Sequence, residues 1–289
     1  MSLRAIILGL LFVLMWSSAF TSGKFIVADA PPITFLALRF CLSGAIAIAL
    51  ATLLGQRIAL TRAQLAAVVI FGICQNGLYL GLNFVAFKTV DASIAVVIAS
   101  LLPIAVGLAS WLILRERLSA LGIAGLLIGL IGAAIVLDAR LSGGADLFGI
   151  ALCIAGVLAL MVATLMVRRI AASGNVLMMV GLQMLVGAAA LAPFGLMFET
   201  WEVTWSTPMI TAFAYTTIFP GLVATWIWFT LLGQIGATKA AAFHFLNPFF
   251  GVVVAWALLG EQITRADIIG TGFIMVAILA VQMSKIRAA

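Results

Sequence analysis

Four polar side chains crowd one apolar run of this chain: Gln75, Asn76, Tyr79 and Asn83. On an α-helix Asn76, Tyr79 and Asn83 share the i, i+3, i+7 face. Amides and a phenol cannot face lipid comfortably, because hydrocarbon offers no hydrogen bonds. One use of such a stripe is glue between helices, worth about 0.6 kcal/mol per bond. The other is a cavity wall, where amide and phenol groups together suit an amino-acid-sized solute. For the stripe as a whole, the cavity wall is the better reading.

A second constellation joins His244 and Asn247, one helical turn apart, with Pro248 just beyond. The proline lacks a donor, so a carbonyl near His244 is left unpaired and a kink is permitted. This reads either as a hinge carrying binding groups or as a packed, satisfied histidine. Pro103, with Ser100 nearby, offers the corresponding kink earlier in the chain. Trp16 lies halfway along the first apolar run beside Ser17 and Ser18. It is either packing or a stacking wall for a planar solute, whereas Trp111, Trp226, Trp228 and Trp256 near helix ends, and Trp201 and Trp205 in a loop, suit interfacial belts. Arg39 lies about 10 Å along the second run, on a 1.5 Å rise per residue. It either pairs a substrate carboxylate or snorkels and bonds backbone carbonyls. These are the candidate solute-binding side chains, with Pro103 and Pro248 as hinges.

Catalysis finds few residues to work with. One histidine rules out paired-His metal motifs, and there is no phosphate loop or nucleophile elbow. Residues 142–146 read Ser-Gly-Gly-Ala-Asp, similar to a Gly-Asp intramembrane protease motif. That stretch falls in a loop, and no second Asp stands inside a span to pair with Asp146. Cys41, Cys74 and Cys153 all lie in apolar stretches and suit buried packing, not a disulfide framework or a zinc site. No metal or cofactor is expected. No Asp or Glu stands mid-span, so the carboxylate relay of many proton antiporters is missing.

The elements that must position these groups follow from composition. Of 289 residues, 65% are hydrophobic and 8% charged, with a mean hydropathy of +1.32. Ordinary soluble domains run near a quarter charged, so this chain has too little polar surface to cover a water-soluble sphere. A bilayer-crossing helix takes about 20 mostly apolar residues. The runs are continuously apolar and not alternating, which favours helices over a barrel. Charges and Gly/Pro punctuation place spans at 4–24, 32–54, 64–87, 91–114, 119–138, 147–168, 175–198, 208–232, 238–259 and 265–285. Residues 1–21 have some features of a secretory signal peptide, a reading that the repeat described below opposes.

A net charge of +6 invites a nucleic-acid partner, but the basic residues are scattered and form no patch. The expected partners are a small-molecule substrate and the lipid bilayer. With the N-terminus in the cytoplasm, the inner side receives Arg4, Arg57, Arg62, Arg115, Arg117, Arg168, Arg169, Lys239, Lys285 and Arg287. The outer side receives Lys24, Lys88, Arg140 and Arg265. This asymmetry is the positive-inside pattern and puts both termini in the cytoplasm of a bacterial inner membrane. Among the acids only Glu116 falls inside, with Asp29, Asp91, Asp138, Asp146, Glu199, Glu202, Glu261 and Asp267 outside.

Sliding the chain over itself by 145 residues aligns Ala92 with Ala237, Ser93 with Thr238 and Pro103 with Pro248. The same register aligns Trp111 with Trp256, Glu116 with Glu261, Ser119 with Thr264 and Gly125 with Gly270. Lys24 meets Arg169. Each half carries an odd number of spans, so the second copy enters the membrane from the opposite side. The expected fold is an all-α membrane protein of ten transmembrane helices in two inverted five-helix repeats, 1–144 and 145–289. Secondary transporters commonly have this architecture, with the solute bound near the midplane between repeats. Gly122, Gly125, Gly129 and Gly132 mark the fifth span as a packing helix without a binding role. The alternatives are an intramembrane enzyme or a non-transporting structural bundle.

The stretch from Tyr79 to Ser119, then "GLLIGLIGAAIVL", resembles the repeated unit of the drug/metabolite transporter superfamily, the EamA-type ten-helix exporters in particular. The second copy, "ATKAAAFHFLNPFFGVVVAWALLGEQIT", keeps the mid-helix Pro, the Trp near the end and Gly260-Glu261. The first copy has Arg115 where that Gly usually stands. "WSSAF" at 16–20 and "LRF" at 38–40 match the first and second helices of the family. The resemblance covers the whole chain and implies an exporter of small metabolites, not an enzyme. Amino acids, purines and nucleotide sugars are among the solutes it implies. Within it, the chain is most similar to the YddG-type amino-acid exporters.

Overall fold

The structure, a computed structural model, describes residues 2–57, 60–112, 119–142, 144–171, 175–228, 230–231, 234–235 and 243–288. Helix α1 (Leu3–Asp29) starts where the Ser2 hydroxyl accepts the Ala5 N–H at 3.3 Å. Helix α2 (Pro32–Leu53) follows almost at once, its Pro in the first turn, where a missing donor costs nothing. Helix α3 (Arg62–Ala86) opens on a capping box between Thr61 and Gln64. Its middle, Gly72–Leu80, is π-helical, with α-helix on both sides. Helix α4 comes in two segments, Ala92–Ala99 and Leu102–Leu112, broken at Ser100–Leu101 just before Pro103. Helices α5 (Ala120–Ser142), α6 (Leu147–Ala171) and α7 (Val176–Phe198) are continuous. Helix α8 (Thr207–Trp228) carries a second π segment, Phe219–Val223, around Pro220. Helix α9 (Phe243–Leu259) starts as a 3₁₀ turn, Phe243–Leu246, and becomes α-helical at Asn247. Helix α10 (Arg265–Ala288) ends the chain's helical order.

Helices α1 to α8 are each long and apolar enough to cross a membrane, and α9 is a shorter apolar helix. No strand occurs among the described residues. The all-α, ten-helix fold expected from the apolar runs is therefore present. Helix α1 runs five residues past the expected end at Lys24. Proline stands beside the break in α4, within the π segment of α8 and just after the 3₁₀ turn that starts α9. Glu116, Ala237, Thr238 and the charges Arg115, Arg117 and Lys239 lie outside the described residues, as does the side chain of Trp111.

The inverted repeat is visible in how helices touch. A Cβ on Gly125 of α5 would lie 2.9 Å from Val281 and 3.0 Å from the Ala277 carbonyl of α10. Shifted by 145 residues, the same contact joins Gly270 to Val136 and to the carbonyl of Gly132, the latter at 2.6 Å. A two-fold operation that exchanges α5 and α10 reproduces the interface. Because 125 meets 277–281 while 132 meets 270–274, the two helices are antiparallel. Glycine is needed here because the backbones approach too closely for any side chain. Helices α2 and α7 obey the same operation. The Ile33 N–H in the first turn of α2 is bonded by Glu199 from the far end of α7 at 2.9 Å. Met178, 145 residues on, donates its N–H to Gln56 from the far end of α2 at 3.1 Å.

The two ends of the bundle cap their helices differently. At the end where even-numbered helices begin, every start has a carboxylate. Glu199 accepts from Ile33, Thr34 N–H and the Thr34 hydroxyl of α2. Glu261 accepts from Ala92 and Ser93 N–H of α4 at 2.7 and 2.9 Å. Asp146 accepts from Phe148 and Gly149 of α6, and Asp267 from Thr264 at the start of α10. At α8 the capping Ser206 hydroxyl accepts from Met209 and donates to Asp29. At the opposite end the caps are neutral: Ser2 for α1, Thr61 with Gln64 for α3, Ser119 for α5 and Gln56 for α7. At the first end the carboxylates answer both the orphan N–H groups and the positive ends of the helix dipoles. At Asp146 the Thr89 hydroxyl, 2.6 Å away, holds the carboxyl below its usual range, helped by the Gly149 and Phe148 N–H groups.

Candidate functional site

Helix α1 is the hub on which the other inner helices converge. Its Ser17 hydroxyl donates to the Asn247 carbonyl of α9 at 3.2 Å. Its Ser18 hydroxyl meets the Tyr215 hydroxyl of α8 at 2.6 Å. Its Ser22 hydroxyl accepts from Thr216 at 2.7 Å. Near its end, the Lys24 ammonium donates to the Phe87 carbonyl where α3 stops, at 2.9 Å. Short hydroxyl side chains make this possible, since Ser18, Ser22 and Thr216 also bond their own preceding turns. Ser18 bonds the Met15 carbonyl at 2.9 Å and Thr216 the Ala212 carbonyl at 2.6 Å.

The 3₁₀ start of α9 aims His244 at α1. Asn247 Nδ2 lies 2.7 Å from His244 Nδ1. With the amide as donor, the imidazole accepts at Nδ1 and carries its proton on Nε2, the neutral tautomer. Three rings box it: Phe12 at 5.2 Å, Trp16 at 5.7 Å and Trp228 at 5.0 Å, all edge-on. Phe12 stacks on Trp228 at 5.0 Å, which closes the box. Trp16, Ser17, His244 and Asn247 thus form one cluster between α1, α8 and α9. Trp228 corrects the sequence reading, which placed it in an interfacial belt. Near the end of an apolar helix it packs inward, whereas Trp201, Trp205, Trp226 and Trp256 are exposed, as a belt requires.

The α3 stripe does not form one wall. Asn76 donates to the Gln183 carbonyl of α7 at 3.0 Å. Tyr79 and Asn83 instead face α6, where a Cβ on Gly156 would lie 2.9 Å from Asn83 Nδ2. The i, i+3, i+7 argument assumed 3.6 residues per turn. The π register over Gly72–Leu80 takes more residues per turn, so Asn76 and Asn83 are rotated off a common face. Asn83 Nδ2 bonds the Tyr79 carbonyl at 2.7 Å, while Asn83 Oδ1 and the Tyr79 hydroxyl are buried without partners. Gln75 is half-buried. Ser100 bonds the Val96 carbonyl at 2.6 Å and so occupies an acceptor at the α4 break.

Arg39 is 5% exposed. It stands one turn from Phe35, whose ring packs on Phe213 of α8 at 5.7 Å, and one turn from Ser43, which donates to the Thr217 carbonyl at 3.1 Å. Its guanidinium lies over the adjacent Phe40 ring at 5.1 Å, and Nε has no hydrogen-bond partner. It has not snorkelled to the surface.

The hydroxyl seam of Ser18, Ser22, Ser43, Tyr215 and Thr216 was absent from the sequence candidates. Its signal was the Ser18–Ser22 spacing of one turn and the Tyr215-Thr216-Thr217 run inside a span. Two grooves, of about 270 and 320 Å³, open along the α2–α8 seam, one near Gln56 and Trp226 and the other near Phe35 and Trp205. Neither is lined by the sequence candidates.

Broken helices, an inverted repeat and unpartnered polar atoms buried inside the bundle define a polytopic membrane protein built like a secondary carrier. The chain belongs to the EamA-like transporter family, whose model matches it twice, over residues 3–138 and 147–283. The family is one of transporters and not of enzymes. An uncharacterized transporter of Bacillus subtilis, YvbV, is 24% identical over 96% of this chain and 91% of its own length. One from Archaeoglobus fulgidus is 26% identical over 94% and 96%. A crystal structure matches 100% of both chains with a TM-score of 0.69 at 22% identity, which establishes likeness of fold.

Proposed function

We propose that the protein exports small metabolites, amino acids including aromatic ones foremost, by alternating access through a central cavity. The halves 1–144 and 145–289 rock against each other, with Pro103 and Pro248 as the bending points. The observation that carries this reading is a pair of matched departures from α-helix, the break at Ser100–Leu101 in α4 and the 3₁₀ turn Phe243–Leu246 that starts α9. They fall at equivalent positions of the two repeats, and the second carries His244 and Asn247 into the cluster with Trp16 and Ser17. Asn76, Tyr79, Asn83, Gln75, Ser100 and Arg39 complete the candidate solute path, several of them ending in atoms without partners.

Saturable counterflow of labelled solute in vesicles holding the purified protein is the expected result. A channel-like bundle would give no counterflow, and an enzyme would convert its solute and not exchange it.

In this reading the carboxylate-capped end is outside and both termini are in the cytoplasm of a bacterial inner membrane. The neutral caps then share their side with most of the Lys and Arg residues. Tags at both termini are expected to be reachable only from the cytoplasm, and a cysteine placed in the 199–207 loop to react with an impermeant reagent from outside. The opposite labelling pattern overturns the orientation.

A further inference from the structure

We propose that Arg39 is the carboxylate anchor of the transported solute, and that the solute carries a single carboxylate. This rests on the carrier reading and names its substrate class. Among the described residues, Arg39 is the cation deepest in a span, and its Nε lacks any hydrogen bond. No interaction of its guanidinium with a carboxylate exists among them. The acids are engaged elsewhere: Glu199, Glu261, Asp146, Asp29 and Asp267 are all spent on helix starts at one end. Lys24 is the contrast, because the Phe87 carbonyl completes it.

An ionisable group held inside the membrane without a partner is retained at high cost, and such residues mark solute pathways. A guanidinium presents a planar fork of donors that matches a carboxylate two bonds at a time. One turn along the same helix stands the Ser43 hydroxyl, which bonds α8. Ser43 and Thr216 are within the same α1–α2–α8 packing, and the Thr21 hydroxyl of α1 is buried without a partner. One cation balances one negative charge. A dicarboxylate or phosphate ester would leave a net negative charge in a low-dielectric seam, with no second cation as deep in a span among the described residues to meet it. An uncharged purine would leave the guanidinium unpaired. The class that fits carries one carboxylate: a simple anion such as lactate leaves no net charge, and a zwitterion such as phenylalanine adds only its own ammonium, a donor group that hydroxyl and carbonyl oxygens can meet.

The test is counterflow in reconstituted vesicles with lactate, phenylalanine, lactamide, succinate, glucose 6-phosphate and adenine. Exchange of lactate or phenylalanine is expected, with the other four excluded. Arg39→Gln is expected to lower that exchange at least about tenfold, because one partner of a charge-assisted bond is lost, and Arg39→Lys to keep an intermediate rate. Arg39→Gln should also admit lactamide, which an interaction of purely structural type would not produce. If Arg39→Gln fails to fold, the wild-type melting temperature takes its place, and it should rise with lactate or phenylalanine and not with lactamide or adenine. Wild-type exchange confined to uncharged or dianionic solutes overturns the anchor and leaves the carrier reading standing. So does unchanged lactate or phenylalanine exchange in Arg39→Gln. Absence of both counterflow and thermal shift for every solute overturns the two together.

Discussion

Gly132→Val is expected to cost roughly 3 kcal/mol or more of stability, the upper range for overpacking, and to leave little folded protein after extraction. A Cβ at 132 would stand 2.7 Å from the Gly270 carbonyl and 2.8 Å from the Phe273 side chain of α10. The obstacle is backbone, which cannot swing aside as a side chain can. Gly270→Val is expected to be equally damaging, because Gly270 faces Gly132 directly and its Cβ would meet the Gly132 carbonyl at 2.6 Å. Gly272→Ala is the control on the same helix, with nothing within 4 Å of its Cβ, and should melt like wild type or slightly above. Thermal melts followed by size-exclusion chromatography decide the matter. If Gly132→Val melts with wild type, α5 and α10 do not pack as described and the symmetry argument loses its best contact.

Pro248→Ala is expected to slow counterflow by about an order of magnitude while leaving stability unchanged or raised by about 1 kcal/mol. The alanine N–H can bond a carbonyl in the preceding turn that proline leaves free, and a typical hydrogen bond nets about 1 kcal/mol. The 3₁₀ turn at Phe243–Leu246 then gains a reason to continue the α-helix, which would swing His244 out of its box of Phe12, Trp16 and Trp228. Slower transport with a higher melting point is the signature of a stiffened hinge. Slower transport with a lower melting point would mean that Pro248 serves packing, and undisturbed transport would mean that the break does not move.

The helices were legible because continuous apolar runs of about twenty residues admit little else in a bilayer. The repeat was legible because a Pro, a Trp and a Glu in one register are improbable by chance in so uniform a composition. The breaks in α4 and α9 followed from the same prolines. The site was less legible for a specific reason. Periodicity assumes a constant turn, and nothing in Gly72-Ile73-Cys74-Gln75 announces that α3 widens to a π register there. That single departure separates Asn76 from Tyr79 and Asn83. Trp228 was misplaced because position along a helix says nothing about which side of it faces inward. The hydroxyl seam escaped because Ser and Thr inside membrane helices are commonly satisfied by their own preceding turn, and these are too. Only the second bond, to a neighbouring helix, distinguishes them. For Arg39 the sequence left carboxylate pairing and snorkelling open, and the absence of a partner for its Nε among the described residues became visible only with its neighbours in place.

The caps at the carboxylate end have a consequence in time. Glu199 reaches back 166 residues to Ile33, Glu261 169 residues to Ala92, and Ser206 177 residues to Asp29. A ribosome adding about 5–20 residues per second needs roughly ten to thirty seconds to deliver Glu199 and Glu261 after the helix starts they complete, and Ser206 after the Asp29 carboxylate it meets. Through that interval α2 and α4 sit in the bilayer with their first amides answered only by water. The first five helices are therefore a docking platform during synthesis, open at one rim, and the arriving second half seals it like a lid screwed on from the opposite side. Maturation of the fold is thereby tied to completion of translation: a chain cut short between the repeats would keep its spans but never close its outer edge.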